Sequence, residues 1–312
     1  MTLSLPSSCA GTLLKNESLA QYTSWRTGGL AEYVYHPKDL QDLSCFLQSL
    51  PEAMPLTWLG LGSNTLIRDG GVEGVVIITQ VGLQSLSVLH SVHDHDVLQT
   101  RNGQNTSLIR AEAGVSAAKL ARYSARISVA GLEFMAGIPG TVGGALAMNA
   151  GCFGGETWQY VQSVETIDRF GTLKQRSLED FQINYRHVVR PQDEWFVAGY
   201  FSLMPGDKEQ SLQKIRDLLA KRNDTQPAGT ANCGSVFRNP PGDYAGRLIE
   251  SHGLKGYRLG GAVVSEKHAN FIINDQNASA GDIEALIDRV RAIVYEKTGV
   301  RLVAEVCILG KM

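Results

Sequence analysis

The sequence is short of the features that mark secreted, membrane-spanning or nucleic-acid-binding chains. Cysteine is sparse: Cys9, Cys45, Cys152, Cys233 and Cys307 are odd in number, far apart and contain no CxxC pair. That spacing argues against a disulfide framework and offers neither a zinc site nor a redox couple, so free thiols in a reducing cytoplasm are expected. Charge of one sign is also missing. With 29 Lys plus Arg against 31 Asp plus Glu, the net charge is −2, and no global field attracts nucleic acid or an anionic membrane. Any anionic ligand must therefore be held locally. No run approaches the roughly 18 apolar residues of a membrane span. The opening MTLSLPSSCAGTLLKN lacks both a basic start and a continuous apolar core, so neither a secretory signal nor membrane insertion is expected.

What is present is a globular composition, 43% hydrophobic and 19% charged over 312 residues, enough for a sizeable core and two or three modules. Leu40, Leu43, Leu47 and Leu50 recur at helical spacing, and Val75 to Thr79 is a β-branched run, together a βαβ-like opening. Short apolar runs from Leu83 to Gly114 suggest strands joined by polar hairpins, one of them carrying His90, His93 and His95 beside Asp94 and Asp96. With no further ligand pattern around them, these histidines are expected at a solvated hairpin tip, and no metal is expected. A helix capped by Ser116 follows, then alternating strands with a turn at Phe170 and Gly171. The charged segment 207–224, with Leu212, Ile215, Leu218 and Leu219 on one face, predicts an amphipathic helix, and a module boundary is expected near Pro205. A last helix with Ile283, Leu286, Ile287, Val290, Ile293 and Val294 inward, and a final strand RLVAEVCILG, predict a compact α+β end domain.

Two glycine-rich segments carry the chemistry. In LGLGSNTLIRDGG, Gly60 and Gly62 follow an apolar strand and precede Ser63, Asn64 and Thr65. Consecutive amides in such a turn can form an anion-binding nest. The Walker lysine is absent, and Thr65 stands where a GxGxxG loop would have its third glycine. A simple hairpin turn is the structural alternative. The second segment, residues 137 to 156, holds seven glycines among apolar residues, a pattern for close approach of backbone to backbone or to a flat ligand. Two such loops suggest a dinucleotide lying between them; a tight strand crossing inside a sheet explains the second loop equally well.

The blocks LGLGSNTLIRDGG, GLEFMAGIPGTVGGALAMNAGCFGGE, CGSVFRNP and AGRLIESHGLKGYRLGGAVVSEKHANFIIN closely resemble those of the UDP-N-acetylenolpyruvoylglucosamine reductases, the MurB family of bacterial peptidoglycan synthesis. They stand in the family's order and, with YTSWRTGG and AEVCILG, span nearly the whole chain. The resemblance implies an α+β architecture: an FAD-binding domain of the PCMH or vanillyl-alcohol-oxidase type, made of subdomains 1–80 and 81–205, and a C-terminal α+β substrate domain 206–312. Gly60, Gly62, Ser63, Asn64, Thr65, Gly137, Ile138, Pro139, Gly140, Thr141, Gly143 and Gly144 would contact FAD, with Asn149 and Tyr185 nearby. Free amides in both loops would meet the pyrophosphate, and the missing side chains would admit the flavin ring.

The family's catalytic arginine matches Arg186 in NYRHVVR, its serine Ser235 in CGSVFRNP and its glutamate Glu305 in LVAEVCILG. Val188 departs from a serine that family members often carry. No G-x-S-x-G elbow surrounds Ser235, which disfavours a hydrolase. A carboxylate such as Glu305 in an apolar strand is costly to bury unless paired or protonated. The implied reaction uses NADPH to reduce FAD, which in turn reduces UDP-N-acetylglucosamine enolpyruvate to UDP-N-acetylmuramate. Arg186, and Glu305 if protonated, would stabilise the enolate-like charge, and Ser235 would donate the proton. Asn239, Arg222 and Lys267 are implied substrate contacts, with Lys221 and His268 as further candidates. The chain has no room for the insertion of one family subgroup, so the compact subtype is expected, as a cytoplasmic monomer. A same-fold alcohol or sugar oxidase, with Cys152 near a glycine block, and a non-catalytic nucleotide-binding protein are the alternatives.

Overall fold

The structure is a computed structural model that describes residues 3–90, 99–101 and 104–312. His93, His95, Asp94 and Asp96 lie outside the described residues, and His90 ends the strand Leu86–His90. The chain forms two compact units, each assembled from three stretches: Met1–Leu13, Tyr35–Gly60 and Ile77–Lys221 in the first, Leu14–Val34, Leu61–Val76 and Arg222–Met312 in the second. The sequence reading divides the chain into contiguous modules at 80 and 205, whereas the units interleave.

The first unit is built on antiparallel strands in the order Leu173–Arg176, Val161–Asp168, Glu194–Pro205, Gln104–Glu112 and Leu86–His90. Its core gathers Ile109 and Phe201 from the strands, Leu120 from the helix Ala117–Arg126, and Val142 and Leu146 from the helix Val142–Met148. Ser116 caps the former helix as expected, accepting from the Lys119 amide. The helix Lys208–Thr225 belongs to this unit as far as Lys221. The reason is its apolar stripe: Ile215 is buried in the core, Leu212 and Leu219 pack against it, and the Ser211 hydroxyl donates to Glu133 at 2.9 Å.

The second unit packs the helix Ala280–Thr298 with the strands Arg258–Leu259, Ala262–Val264 and Ile272–Asn274. A capping box of Ser279 and Asp282 starts the helix, and Gly299 at φ +72° ends it, a left-handed position that glycine adopts without penalty. Ile283, Leu286, Ile287, Val290 and Val294 are buried as the periodicity predicts. The predicted final strand is much shorter than its apolar run: only Cys307–Leu309 is regular, paired in parallel with Thr65–Ile67. Upstream, a single bridge joins Ala304 to Phe237. No helix among the described residues is long and apolar enough to cross a membrane.

Candidate active site

In the first unit the glycine stretch is a loop through Ile138 and Pro139, a seven-residue helix, and the hairpin of Gly151–Cys152 with Gly155–Glu156. Thr141 caps the helix by accepting from the Gly144 amide at 3.3 Å, and Asn149 ends it at φ +43°. The glycines mark places where the chain packs on itself. A Cβ at Gly143 would lie 2.8 Å from the Ala113 Cβ, one at Gly137 2.9 Å from the Phe153 ring, and one at Gly151 2.2 Å from the Gly155 carbonyl. The amides are engaged as well: those of Ile138, Gly140, Val142 and Gly143 donate to the carbonyls of Met135, Ile138, Val115 and Ala113. The free donors expected here are thus used by the fold. Gly60 comes close to the same stretch, since a Cβ there would stand 2.5 Å from the Thr141 hydroxyl.

Arg186 sits at the tip of the hairpin Gln182–Asn184 with His187–Val189, in a two-residue turn with Tyr185. Its φ of +53° is a left-handed conformation that costs a side-chain-bearing residue roughly 1 kcal/mol. The guanidinium donates to the carbonyls of Asn149 at 3.2 Å and Gly151 at 2.5 Å, lies 3.8 Å from the Glu156 carboxylate, and covers the Tyr185 ring. Asn149, expected beside the flavin, is only 2% exposed. Its amide donates to Glu156 at 2.9 Å and to the Asn184 carbonyl at 3.2 Å, while its oxygen accepts from the Trp158 amide at 3.2 Å. Asn149 therefore ties the helix end to the hairpin that presents Arg186. Glu156, which touches both Asn149 and Arg186, has no sequence signal beyond an acidic residue closing the glycine run. Val188 is buried in the apolar core opposite Ile183, where a serine hydroxyl would need a partner.

In the second unit the turn 61–64 meets the requirement that the first stretch does not. Among the described residues no acceptor is paired with the amides of Leu61, Gly62 and Ser63, and Gly62 is left-handed at φ +62°. That is the backbone of an anion nest, so the loop fits the pyrophosphate of FAD. Asn64 turns inward: its side-chain amide donates to the Glu305 carbonyl at 3.0 Å, and its own carbonyl accepts from the Cys307 amide at 3.0 Å. The Cys233 thiol points to the carbonyls of Gly62 and Thr65, and burial pushes its pKa up to about 12.

Ser235 and Glu305 come together on neighbouring segments, because the Glu305 amide donates to the carbonyl of Val236 at 2.8 Å. Glu305 is half-buried and lies outside the regular strand, not within an apolar one. Ser235 follows Gly234, at φ +73°, and is half-buried. Its hydroxyl has no partner among the described residues.

Asn239 accepts from the Ala245 amide at 3.1 Å and so holds the start of the helix Ala245–Ser251. Lys267 lines a cavity of about 740 Å³ with Asn223, Arg258 and Asp275, and its ammonium donates to the Asn223 carbonyl. Arg222 donates to the side chain of Gln226, just past the end of its helix, at 3.0 Å and is not among the lining residues. The ring of His268 accepts from the Asn270 amide, and burial, then Lys255, lowers its pKa.

Residues 226–309 match the family model for the C-terminal domain of UDP-N-acetylenolpyruvoylglucosamine reductase, and residues 31–176 match the model for an FAD binding domain. The chain is 56% identical over 301 residues to a UDP-N-acetylenolpyruvoylglucosamine reductase of Legionella pneumophila (strain Lens), covering 96% of this chain and 93% of that protein. It is 54% identical to the protein of that name from Alkalilimnicola ehrlichii, covering 96% of each. The crystal structure of UDP-N-acetylenolpyruvylglucosamine reductase from Thermus caldophilus superposes with a TM-score of 0.77 at 29% identity, covering 96% of this chain and 99% of that one.

Proposed function

The chain belongs to the UDP-N-acetylenolpyruvoylglucosamine reductase family, and from that premise we propose which of its residues carry the reaction. It is an oxidoreductase of peptidoglycan precursor synthesis with an FAD-binding domain. The substrate is UDP-N-acetylglucosamine enolpyruvate, NADPH is the reductant, and the protein works in the cytoplasm as a monomer. Bound FAD supplies the electron pair that reaches the enolpyruvyl double bond. The amides of Leu61, Gly62 and Ser63, which have no acceptor among the described residues, would hold its pyrophosphate.

As the double bond is reduced, one carbon gains electron density that spreads onto the adjoining carboxylate. Arg186 stabilises that charge, its guanidinium held in position by the carbonyls of Asn149 and Gly151; a fixed donor costs no reorganisation at the moment of reaction. The Ser235 hydroxyl then donates the proton that completes the saturated carbon, and Glu305, on the neighbouring segment, assists. Lys267, Arg222 and Asn239 bind the nucleotide sugar. The observation that carries the reading is the half-buried Ser235 hydroxyl, unpartnered among the described residues and one residue away from the backbone bond that brings Glu305 alongside.

The test is anaerobic stopped-flow absorbance on the two half-reactions of Ser235→Ala. Bleaching of the flavin by NADPH stays within a factor of about 2, whereas its recovery with the enolpyruvyl nucleotide sugar slows by roughly 10³-fold. Equal loss in both half-reactions would remove Ser235 from the proton-donor role.

A further inference from the structure

Two of the five cysteines, neither of them used by the reaction, are brought into contact by the fold of the first unit. The Cys9 thiol donates to the Cys45 sulfur at 3.2 Å, and the Cys45 thiol faces the Ser8 hydroxyl at 3.1 Å. Their approach does not depend on the sulfurs themselves. Asp42, one turn before Cys45 on the helix Leu40–Ser49, accepts from the amides of Ala10 at 2.6 Å and Gly11 at 3.1 Å, immediately after Cys9. The same carboxylate accepts from the Tyr35 hydroxyl at 2.6 Å and the Lys38 amide at 2.9 Å. The N-terminal segment is thus pinned to the helix by one buried carboxylate, with the two thiols aligned beside the pin. Cys152 and Cys233, in contrast, point at backbone carbonyls.

We propose that Cys9 and Cys45 are a reversible dithiol site that closes to a disulfide by exchange with a low-molecular-weight disulfide such as oxidised glutathione. Cys45 is half-buried and Cys9 is buried, so Cys45 is the sulfur that reaches solvent. Deprotonated, it attacks one sulfur of the small disulfide, forming a mixed disulfide and expelling one thiolate. Cys9 then loses its proton and attacks the Cys45 sulfur, expelling the second thiol. Two protein thiols are oxidised, one small disulfide is reduced to two thiols, and the two protons lost by Cys45 and Cys9 end on those thiols. The order fits the surroundings: burial, with the bond to Cys45, drives the Cys9 pKa up to about 11, so Cys9 stays protonated until an electrophilic sulfur is next to it. In a strongly reducing poise both remain thiols. Closure would fasten the N-terminal segment covalently to the helix across 36 positions of chain.

The experiment equilibrates the holoenzyme in buffers of increasing oxidised to reduced glutathione, quenches with iodoacetamide and maps peptides by mass spectrometry. The Cys9–Cys45 peptide, lighter by two hydrogens, appears while Cys152, Cys233 and Cys307 are still alkylated, and dithiothreitol reverses it. Closing a loop of this length raises the melting temperature by about 5 °C. Cys9→Ser accumulates glutathione on Cys45, and Cys45→Ser leaves residue 9 unmodified. The proposal is overturned if wild-type protein holds glutathione on Cys45 without closing. It is also overturned if the cysteine variants take up glutathione equally, or if Cys307 is oxidised before the pair closes.

Discussion

Arg186, proposed above to stabilise the developing charge, is placed by residues given no part in the chemistry. Its left-handed turn, the two carbonyls that receive its guanidinium, and the amide of Asn149 that draws the hairpin toward the glycine stretch form one connected set. A lysine keeps the charge but presents a single ammonium on a flexible stem and cannot serve both carbonyls in a fixed plane. Arg186→Lys should therefore lower kcat for reduction of the enolpyruvyl substrate by roughly 10²-fold while the melting temperature moves by no more than about 2 °C. Steady-state kinetics with parallel calorimetry check this; unchanged kcat would mean that charge alone suffices. Asn64 works similarly, since the side chain expected at the cofactor holds the main chain of Glu305.

At the level of elements, Glu194 begins the long strand Glu194–Pro205 and joins it to two neighbours. It accepts from Arg176 at 2.5 Å, Lys174 at 2.9 Å and Thr166 at 2.8 Å, and is buried. Burial alone would raise its pKa, but the hydrogen bonds from Arg176, Lys174 and Thr166 outweigh it and hold the carboxyl at about 2. The unfolded value is about 4.3, so this stabilisation is complete above that pH and disappears as pH falls from there toward 2. Thermal melts across this range should show the loss. Glu194→Gln should destabilise the protein by roughly 3 kcal/mol at neutral pH and flatten the acid slope; an unchanged slope would assign the acid sensitivity elsewhere. The helix Lys208–Thr225 teaches a second lesson at this scale. Its stripe was legible, yet periodicity says only that a face must be covered and not which core covers it.

For the whole molecule, each unit draws on three separated stretches of chain, and the cofactor is bound by the folded state alone. FAD at about 100 times its dissociation constant should contribute roughly 2.7 kcal/mol, raising the melting temperature by about 4 °C over the apoprotein. A titration by differential scanning fluorimetry reads this directly, and a melting temperature independent of added FAD would contradict the cofactor fit at residues 61–63.

The sequence by itself determined the helices with long apolar stripes, the cap at Ser116 and the family. Those depend on local periodicity, on backbone propensity and on motifs continuous in the chain. Tertiary structure alone decided how the glycines are used. Residues 137 to 144 look like a bed of free amides, but Ala113 and Val115, more than twenty positions earlier, accept the bonds of Val142 and Gly143. The shorter turn at 61–63 keeps its donors available. Likewise, Glu305 reads as part of an apolar strand, and only the bonds from Asn64 and to Val236 set it on a half-buried segment next to Ser235. Hydrogen-bond partners distant in sequence leave no local pattern, so which amides are engaged and which remain for a ligand is known only once the chain has folded.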